Sequence, residues 1–246
     1  KKQVQELINS GASLNEEFTR TFEETYVTGV VKRDLYYTLP GDRILLVFDE
    51  NDLSIPGRGD IYPLEYMKKF AAWRIRLRSD SAHGRFSSVD HWRFYSRHRS
   101  DLIQNVGPLV NSLAELLSIE PTQLNSSYAS LDLVSSLCMR LELQDVFARC
   151  YDPLVAYVGE VIKHRVNGIW TLNTTHSGGE YPFISIGLRN VQYMPINAVW
   201  STLDGIDPID LRKAAADEVR RVGPRAQYER QYGHLFLGGP KTATET

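Results

Sequence analysis

The sequence predicts an α+β protein whose helices pack on a small antiparallel sheet, after a mixed N-terminal part. Of its 246 residues, 42% are hydrophobic and 24% are charged, which is typical of a folded globular protein. Apolar residues recur at helical spacing in several stretches that begin with a capping residue or a proline. Two apolar runs, 169–172 and 182–188, flank a glycine-containing loop, which favours an antiparallel hairpin.

The first part of the chain carries signals of both helix and strand. Residues 13–16 have the form of a capping box, which predicts that a helix begins there. The apolar run 43–48 lies between turn residues and predicts a buried strand. Pro63 fits the first position of a helix that runs to about Trp73. Residues 74–78 then alternate arginine with isoleucine or leucine, which predicts a strand.

The second part gives a more regular pattern of elements. The helix around 101–118 has Pro108 at its start or at a break and ends at residues 119–121, a serine caps the next helix, and the last two begin at an aspartate followed by proline and end near a glycine. In chain order we predict a helix over 101–118, a strand over 123–128, a helix from Ser130, a helix from Asp152 to about Gly168, strands over 169–172, 182–188 and 190–194, and a helix from Asp207 that ends before Gly223.

We predict that the chain divides into an N-terminal mixed part over 1–105, a C-terminal α+β domain over 106–237 and a disordered tail over 238–246. No linker rich in glycine, serine or proline marks the boundary, so the two parts could share a core. The tail is polar and lies at a terminus, where order is commonly lost.

Charge is distributed unevenly along the chain, although its formal net value is only −2. Residues 1–67 hold seven basic and twelve acidic side chains, whereas residues 68–100 hold nine basic and two acidic ones. Residues 101–246 are acidic again, with twelve basic and sixteen acidic side chains. This pattern argues against a uniformly basic nucleic-acid binder but leaves room for a local anion-binding site.

The basic middle segment supplies most of the candidate binding residues. Its arginines are interleaved with aromatic residues, a composition found both in protein interfaces and in proteins that bind nucleic acids. The arginines could instead pair with acidic residues of the same chain. The candidate partner-binding residues of this segment are Arg74, Arg76, Arg78, Arg85, Trp92, Arg93, Arg97 and Arg99.

A set of short motifs lies between residues 119 and 203. The set consists of residues 123–125, 130–132, the Tyr-x-Gly-Glu of 157–160, the Gly-x-Trp of 168–170, 181–184 and 194–199. Together these motifs resemble a loosely defined group of small bacterial α/β domains, some of which look like toxin-immunity or interaction proteins. The resemblance implies a fold and a lean towards binding, and it supplies no catalytic residues. Glu160 joins the candidates, because its carboxylate could bind a partner, cap a backbone group or be solvated.

The remaining motifs give little sign of catalysis. None of the six histidines has metal-ligand spacing, and the sequence has no nucleophile elbow or phosphate loop, so we predict no cofactor and no bound metal. Asp49 and Asp52 follow a predicted strand and could hold Mg²⁺, although a solvated turn is the simpler interpretation. Cys138 and Cys150 are predicted to be buried thiols, and no signal peptide or transmembrane run is visible, which favours the cytoplasm.

Three functional hypotheses follow from these patterns. The leading one is a non-enzymatic bacterial protein that binds another protein, and an immunity-type inhibitor of a toxin is one form of it. The first alternative is contact with nucleic acid through residues 68–99. The second is a metal-dependent enzyme that uses Asp49 and Asp52.

Overall fold

The computed structural model describes residues 2–25, 29–49, 58–174, 178–188 and 191–232. The chain forms two compact units, Lys1–Arg85 and Phe86–Thr246, and both contain helices and antiparallel strands, which confirms the α+β class. The predicted boundary between residues 105 and 106 falls inside the second unit, because Leu102 and Leu109 belong to one hydrophobic core. The predicted tail lies outside the described residues.

The first unit contains a four-stranded antiparallel sheet. Its strands are β1 (Ser13–Leu14), β4 (Leu35–Leu39), β5 (Arg43–Val47) and β6 (Gly59–Pro63), in the order β1-β4-β5-β6. The observed β5 confirms the predicted strand at 43–48, and it places Leu45 opposite both Tyr37 and Ile61. A separate ribbon pairs β2 (Glu24–Thr25) with β3 (Val31–Lys32).

Aromatic stacking ties the helices of the first unit to its sheet. These helices are α1 (Lys2–Asn9), α2 (Glu16–Phe22) and α3 (Leu64–Ala82). Asn15, inside the predicted capping box, caps α2 by accepting a hydrogen bond from the N–H of Phe18 at 2.9 Å. Phe22 stacks on Phe70 of α3 and on Tyr36 of β4, with ring centroids 5.0 Å apart in both pairs.

The predicted strand over 74–78 is wrong, because α3 continues through these residues to Ala82. Alternation suggested a strand, but arginine and leucine are good helix formers, and extending a helix costs far less than starting a new element. The helix places Arg74 and Arg78 one turn apart on the same face. Ile75, which would belong to the apolar face of such a strand, is 58% exposed.

The second unit is built around α8 (Tyr151–Val166), whose apolar side chains are buried on all sides. Such burial is expected of a helix at the centre of a core. The other helices described in this unit are α4 (Ser88–Tyr95), α5 (Val106–Leu117), α6 (Tyr128–Cys138), α7 (Leu143–Asp145), α9 (Pro195–Leu203) and α10 (Leu211–Tyr232). Two short 3₁₀ turns, Arg99–Asn105 and Pro121–Gln123, connect them.

A small antiparallel sheet packs on α8, as the sequence predicts. Its strands are β7 (Ile169–Thr174), β8 (Glu180–Ser185) and β9 (Gln192–Tyr193). Gly159 of α8 permits the close approach, because a Cβ at this position would collide with the indole of Trp170 on β7.

The predicted strand over 123–128 is also wrong. These residues end a 3₁₀ turn and begin α6, whose N-cap is Ser127 rather than the predicted Ser130. The hydroxyl of Ser127 accepts a hydrogen bond from the N–H of Ser130 at 3.2 Å. Serine is a good N-cap, so either Ser127 or Ser130 could start this helix. Tertiary packing decides between the two residues.

The last helix begins and ends later than predicted. Asp210, not Asp207, caps α10, since its carboxylate accepts a hydrogen bond from the N–H of Lys213 at 2.8 Å. The helix then continues through Pro224 to Tyr232. A proline inside a helix removes one backbone hydrogen bond. Burial of apolar side chains on both sides of Pro224 offsets that loss, since Val222 and Ala226 are 4% and 3% exposed.

Candidate functional site

Arginines of the first unit bind acidic side chains of the same unit. Arg74 pairs with Glu24. Arg85 pairs with Asp80 at 2.7 Å, and only 12% and 3% of these two side chains are exposed. A buried carboxylate needs such a partner, because an unpaired charge away from water is costly. These two candidate residues therefore have a structural role in the first unit.

The remaining arginines of this unit lie on α3. Arg78 donates a hydrogen bond to the backbone oxygen of Glu23 at 2.5 Å, and Arg76 is half-buried. Residues 1–85 as a whole hold thirteen basic and thirteen acidic side chains. The first unit is thus formally neutral, and three of the basic residues between 68 and 85, Lys68, Arg74 and Arg85, form ion pairs within it.

A reciprocal cap fixes the first helix of the second unit. The Ser87 hydroxyl accepts a hydrogen bond from the N–H of Asp90 at 3.3 Å and donates one to the Asp90 carboxylate at 2.7 Å. The N–H of Phe86 donates to the same carboxylate at 3.1 Å. The hydrogen bond from Ser87, followed by that from Phe86, lowers the pKa of Asp90. This cap holds α4 and the residues that it exposes.

Most aromatic residues of α4 face the core. Trp92 is 2% exposed, with its ring centroid 6.4 Å from that of Tyr151, which corrects its assignment as a partner-binding residue. Tyr95 is half-buried and stacks on Phe147 at 4.6 Å. Phe94 differs, since it is 58% exposed. Sequence alone did not separate them, because residues 92–95 cover all sides of a helix.

The three candidate arginines of the second unit bind backbone carbonyl groups. The guanidinium of Arg93 donates to the oxygen of Gly178, and that of Arg97 donates to the oxygen of Ala148, both at 3.0 Å. The guanidinium of Arg99 donates to the oxygen of Arg93, also at 3.0 Å. A carbonyl group orients a guanidinium but leaves its positive charge in place.

All three arginines and Phe94 are exposed, and we call the side chains of Arg93, Phe94, Arg97 and Arg99 the 93–99 surface. Arg93 lies 3.6 Å from the carboxylate of Asp90. Within the part of the chain that the structure describes, Arg97 and Arg99 form no ion pair. Arg99 also has a φ of 44°, a left-handed conformation that is strained for an arginine. Backbone strain of this kind is found preferentially at functional positions.

A pocket of about 160 Å³ lies beside this surface and includes Asp152, whose side chain is 5% exposed. One carboxylate oxygen, Oδ2, accepts hydrogen bonds from the N–H groups of Arg97 and His98 at 2.8 and 3.1 Å and from His98 Nδ1 at 3.0 Å. The other, Oδ1, is buried without a hydrogen-bond partner among the described residues, and so is the hydroxyl of Tyr151. Burial, assisted by the Asp152 carboxylate, raises the pKa of Tyr151, so its hydroxyl keeps its proton.

A π turn over Val146–Cys150 shapes this pocket and runs directly into α8. The helix predicted from Asp152 is confirmed as α8, but its N-cap is Cys150, and Asp152 lies in its first turn. In a π turn, the N–H of residue 153 would donate to the carbonyl group of Ala148. Pro153 has no N–H, so this hydrogen bond is missing. The Ala148 carbonyl accepts the hydrogen bond from Arg97 instead. In the sequence, Pro153 within a run of helical spacing was the signal that could have indicated this irregular turn.

Glu160 is engaged within the second unit. Its carboxylate accepts a hydrogen bond from the indole N–H of Trp170 at 2.7 Å and pairs with Lys163 at 2.6 Å. Glu160 could have bound a partner, capped a backbone group or been solvated. Its contacts are closest to the second role, except that it accepts from a side-chain indole and not from a backbone N–H group. Its carboxylate joins α8 to β7 and lies outside the 93–99 surface as defined.

Asp49, the described member of the suggested magnesium pair, binds backbone. Its carboxylate accepts a hydrogen bond from the N–H of Arg33 at 2.6 Å, and its own N–H donates to Asp34 at 2.9 Å. Asp52 lies outside the described residues. The local contacts of Asp49 are those of a turn-stabilising residue.

We found no match to this chain among protein-family models, curated proteins or solved structures. The resemblance to small bacterial domains therefore stays a prediction. None of the helices that the structure describes is long and apolar enough to cross a bilayer.

Proposed function

We propose that this chain is a non-enzymatic protein that binds an acidic surface of another protein through the 93–99 surface. The observation that carries the proposal is that Arg97 and Arg99 are held by carbonyl groups and not by carboxylates. Each guanidinium has five N–H donors, so the unused ones can grip a carboxylate in the bidentate manner that arginine favours. Arginine beside an exposed aromatic residue is also typical of interface hot spots.

A protein partner fits this surface better than a nucleic acid does. Sequence-tolerant binding of single strands uses several exposed aromatic rings on which bases stack. Here Trp92 is buried and Tyr95 packs against Phe147, so the exposed rings beside these arginines are Phe94 and, just before the helix, Phe86. An immunity-type inhibitor of a bacterial toxin is a narrower form of the same proposal, supported by the sequence resemblance. The two buried free thiols, Cys138 and Cys150, fit a reducing cytoplasm.

Binding to model polyanions tests the proposal. The probes are immobilised poly-L-glutamate, which mimics an acidic protein surface, and poly(U) RNA. The test variant is Arg97→Gln/Arg99→Gln, since glutamine keeps an N–H donor for the carbonyl group but removes the charge. The control is Arg20→Gln/Arg140→Gln, which removes two exposed arginines elsewhere.

We expect the test variant to bind poly-L-glutamate at least about tenfold more weakly than the wild type, because charged hydrogen bonds are lost, while the control changes little. Equal losses in the test and control variants would refute the proposed surface. Tighter binding of poly(U) than of poly-L-glutamate, with a steep salt dependence, would favour the nucleic-acid alternative. For the toxin-inhibitor form, the product of an adjacent gene is mixed with both variants, and a complex on size exclusion should be lost only with the test variant.

A further inference from the structure

The link between α4 and the 3₁₀ turn Arg99–Asn105 is held by a residue that lies far away in the sequence. Residues 96–98 belong to neither element. The N–H groups of Arg97 and His98 donate to Asp152 Oδ2 at 2.8 and 3.1 Å, and His98 Nδ1 lies 3.0 Å from the same oxygen. One carboxylate oxygen therefore holds two successive backbone N–H groups in the segment that carries the 93–99 surface.

Asp152 is suited to act as a fixed anchor. It lies in the first turn of α8, where the partial positive charge of a helix N-terminus favours an ionised carboxylate. The next turn of α8 is packed in the core, since Leu154 and Val155 are 0% exposed. The Asp152 side chain is itself 5% exposed. Its oxygen therefore has a defined position, and the link takes its position from it.

Both arginines that carry the proposed function extend from this link. The guanidinium of Arg97 donates to the oxygen of Ala148, so residues 148–152 hold both the backbone and the side chain of Arg97. The N–H of Arg99 donates to the hydroxyl of Ser96 at 2.9 Å, across the two residues that Asp152 holds. A shift of the link would therefore change the placement of Arg97 and Arg99 together.

We infer that Asp152 is the positioning residue of the 93–99 surface, where it holds Arg97 and Arg99 in the arrangement that binds carboxylates of an acidic partner. This inference rests on the proposed function. A surface that is ordered before binding loses less conformational entropy when the partner arrives, so it binds more tightly than the same arginines on a loose link. Asp152 acts through the backbone of residues 97 and 98 and needs no contact with the partner.

Two measurements on the full chain test this inference, namely affinity for poly-L-glutamate and amide hydrogen exchange at residues 97 and 98. Asp152→Ala removes the acceptor, whereas Asp152→Asn keeps an oxygen for the two N–H groups and removes only the charge. The matched control is Val158→Ala, which lies later in α8, is 0% exposed and loses buried methyl groups. Asp152→Ser, whose shorter side chain withdraws the oxygen, is the second variant and takes the place of Asp152→Ala if the latter does not fold.

Asp152→Ala should bind poly-L-glutamate at least about tenfold more weakly than the wild type, and its amides at residues 97 and 98 should exchange at least about tenfold faster. Asp152→Asn and the less stable Val158→Ala should both stay within about threefold of the wild type in affinity. Wild-type affinity in Asp152→Ala, or an equal loss in Val158→Ala, would overturn the inference.

The exchange measurement separates this inference from the proposed function. If the wild type does not bind poly-L-glutamate, the proposed function fails, and the exchange rates alone decide whether Asp152 holds the link. Unchanged exchange at residues 97 and 98 in Asp152→Ala would then show that it does not.

Discussion

The arginines on the two sides of residue 85 belong to one basic run in the sequence but differ in what they bind. Before it, Arg74 and Arg85 pair with Glu24 and Asp80. After it, Arg97 and Arg99 are oriented by carbonyl groups, at 3.0 Å in both cases. In these four examples the arginine is neutralised by an acidic side chain before residue 85 and keeps its positive charge beside a carbonyl group after it. An arginine-rich segment therefore has to be divided by unit before it is assigned to a partner.

The largest effect expected from this comparison is on Arg85. Replacing it in Arg85→Met removes an ion-pair partner of Asp80, whose side chain is 3% exposed, and should lower the free energy of unfolding by about 3 kcal/mol. Urea unfolding at neutral pH measures the loss. Arg97→Gln is the matched change in the second unit and should cost less than about 1.5 kcal/mol. Similar losses in the two variants would remove the distinction between the units.

Glu160 extends the comparison to an acidic residue that is neutralised inside the second unit. Glu160→Ala removes the acceptor of the Trp170 indole and the partner of Lys163, so we expect a loss of about 1.5–3 kcal/mol in unfolding free energy. Glu160→Gln retains an oxygen for the indole and should lose less. Thermal or urea unfolding of both variants measures this order, and the reverse order would show that Trp170 does not depend on this hydrogen bond.

The cap of α4 should make the 93–99 surface sensitive to acid. Because hydrogen bonds lower the pKa of Asp90 in the folded protein, its stabilising contribution is present above the ordinary aspartate pKa. It is lost as the pH falls through the lower, folded value. We expect Asp90→Asn to cost about 1 kcal/mol near pH 7 and to approach the wild type as the pH falls through the lowered pKa of the folded state. Urea unfolding across this range checks it, and a difference that persists in acid would contradict it.

The smallest effect concerns the strained backbone at Arg99, where φ is 44°. Glycine tolerates this conformation, so Arg99→Gly should leave stability unchanged or raise it by up to about 1 kcal/mol. The same change should weaken binding to poly-L-glutamate, because it removes a charge. If Arg99→Gly is more stable but binds poly-L-glutamate more weakly, Arg99 contributes to binding at the expense of folding stability. Loss of stability in Arg99→Gly, measured against Arg99→Ala, would show that no strain is stored there.

Local patterns predicted the elements whose signals are strong over their own length. The hairpin at 169–185, the buried strand at 43–48 and the helix that begins after Pro63 all follow from composition and turn residues.

The errors arose where two structures satisfy the same local pattern. Residues 74–78 alternate like a strand, but they continue a helix whose start was already formed. Asp152 followed by proline looks like a helix start. Instead a π turn precedes the helix, and the Asp152 carboxylate binds the backbone of residues 97 and 98, which are distant in sequence, rather than capping the helix. No local signal reports such a contact.

By itself the sequence determined the α+β class, the main helices and hairpin, and the concentration of arginine and aromatic residues between residues 68 and 100. These depend on periodicity, capping residues and composition, which act over a few residues. Only the tertiary structure decided which arginines are neutralised, which aromatic rings are buried, and that Asp152 holds the backbone of residues 97 and 98. Those outcomes depend on contacts between distant segments, and the energy of a charge is set by the groups that surround it after folding.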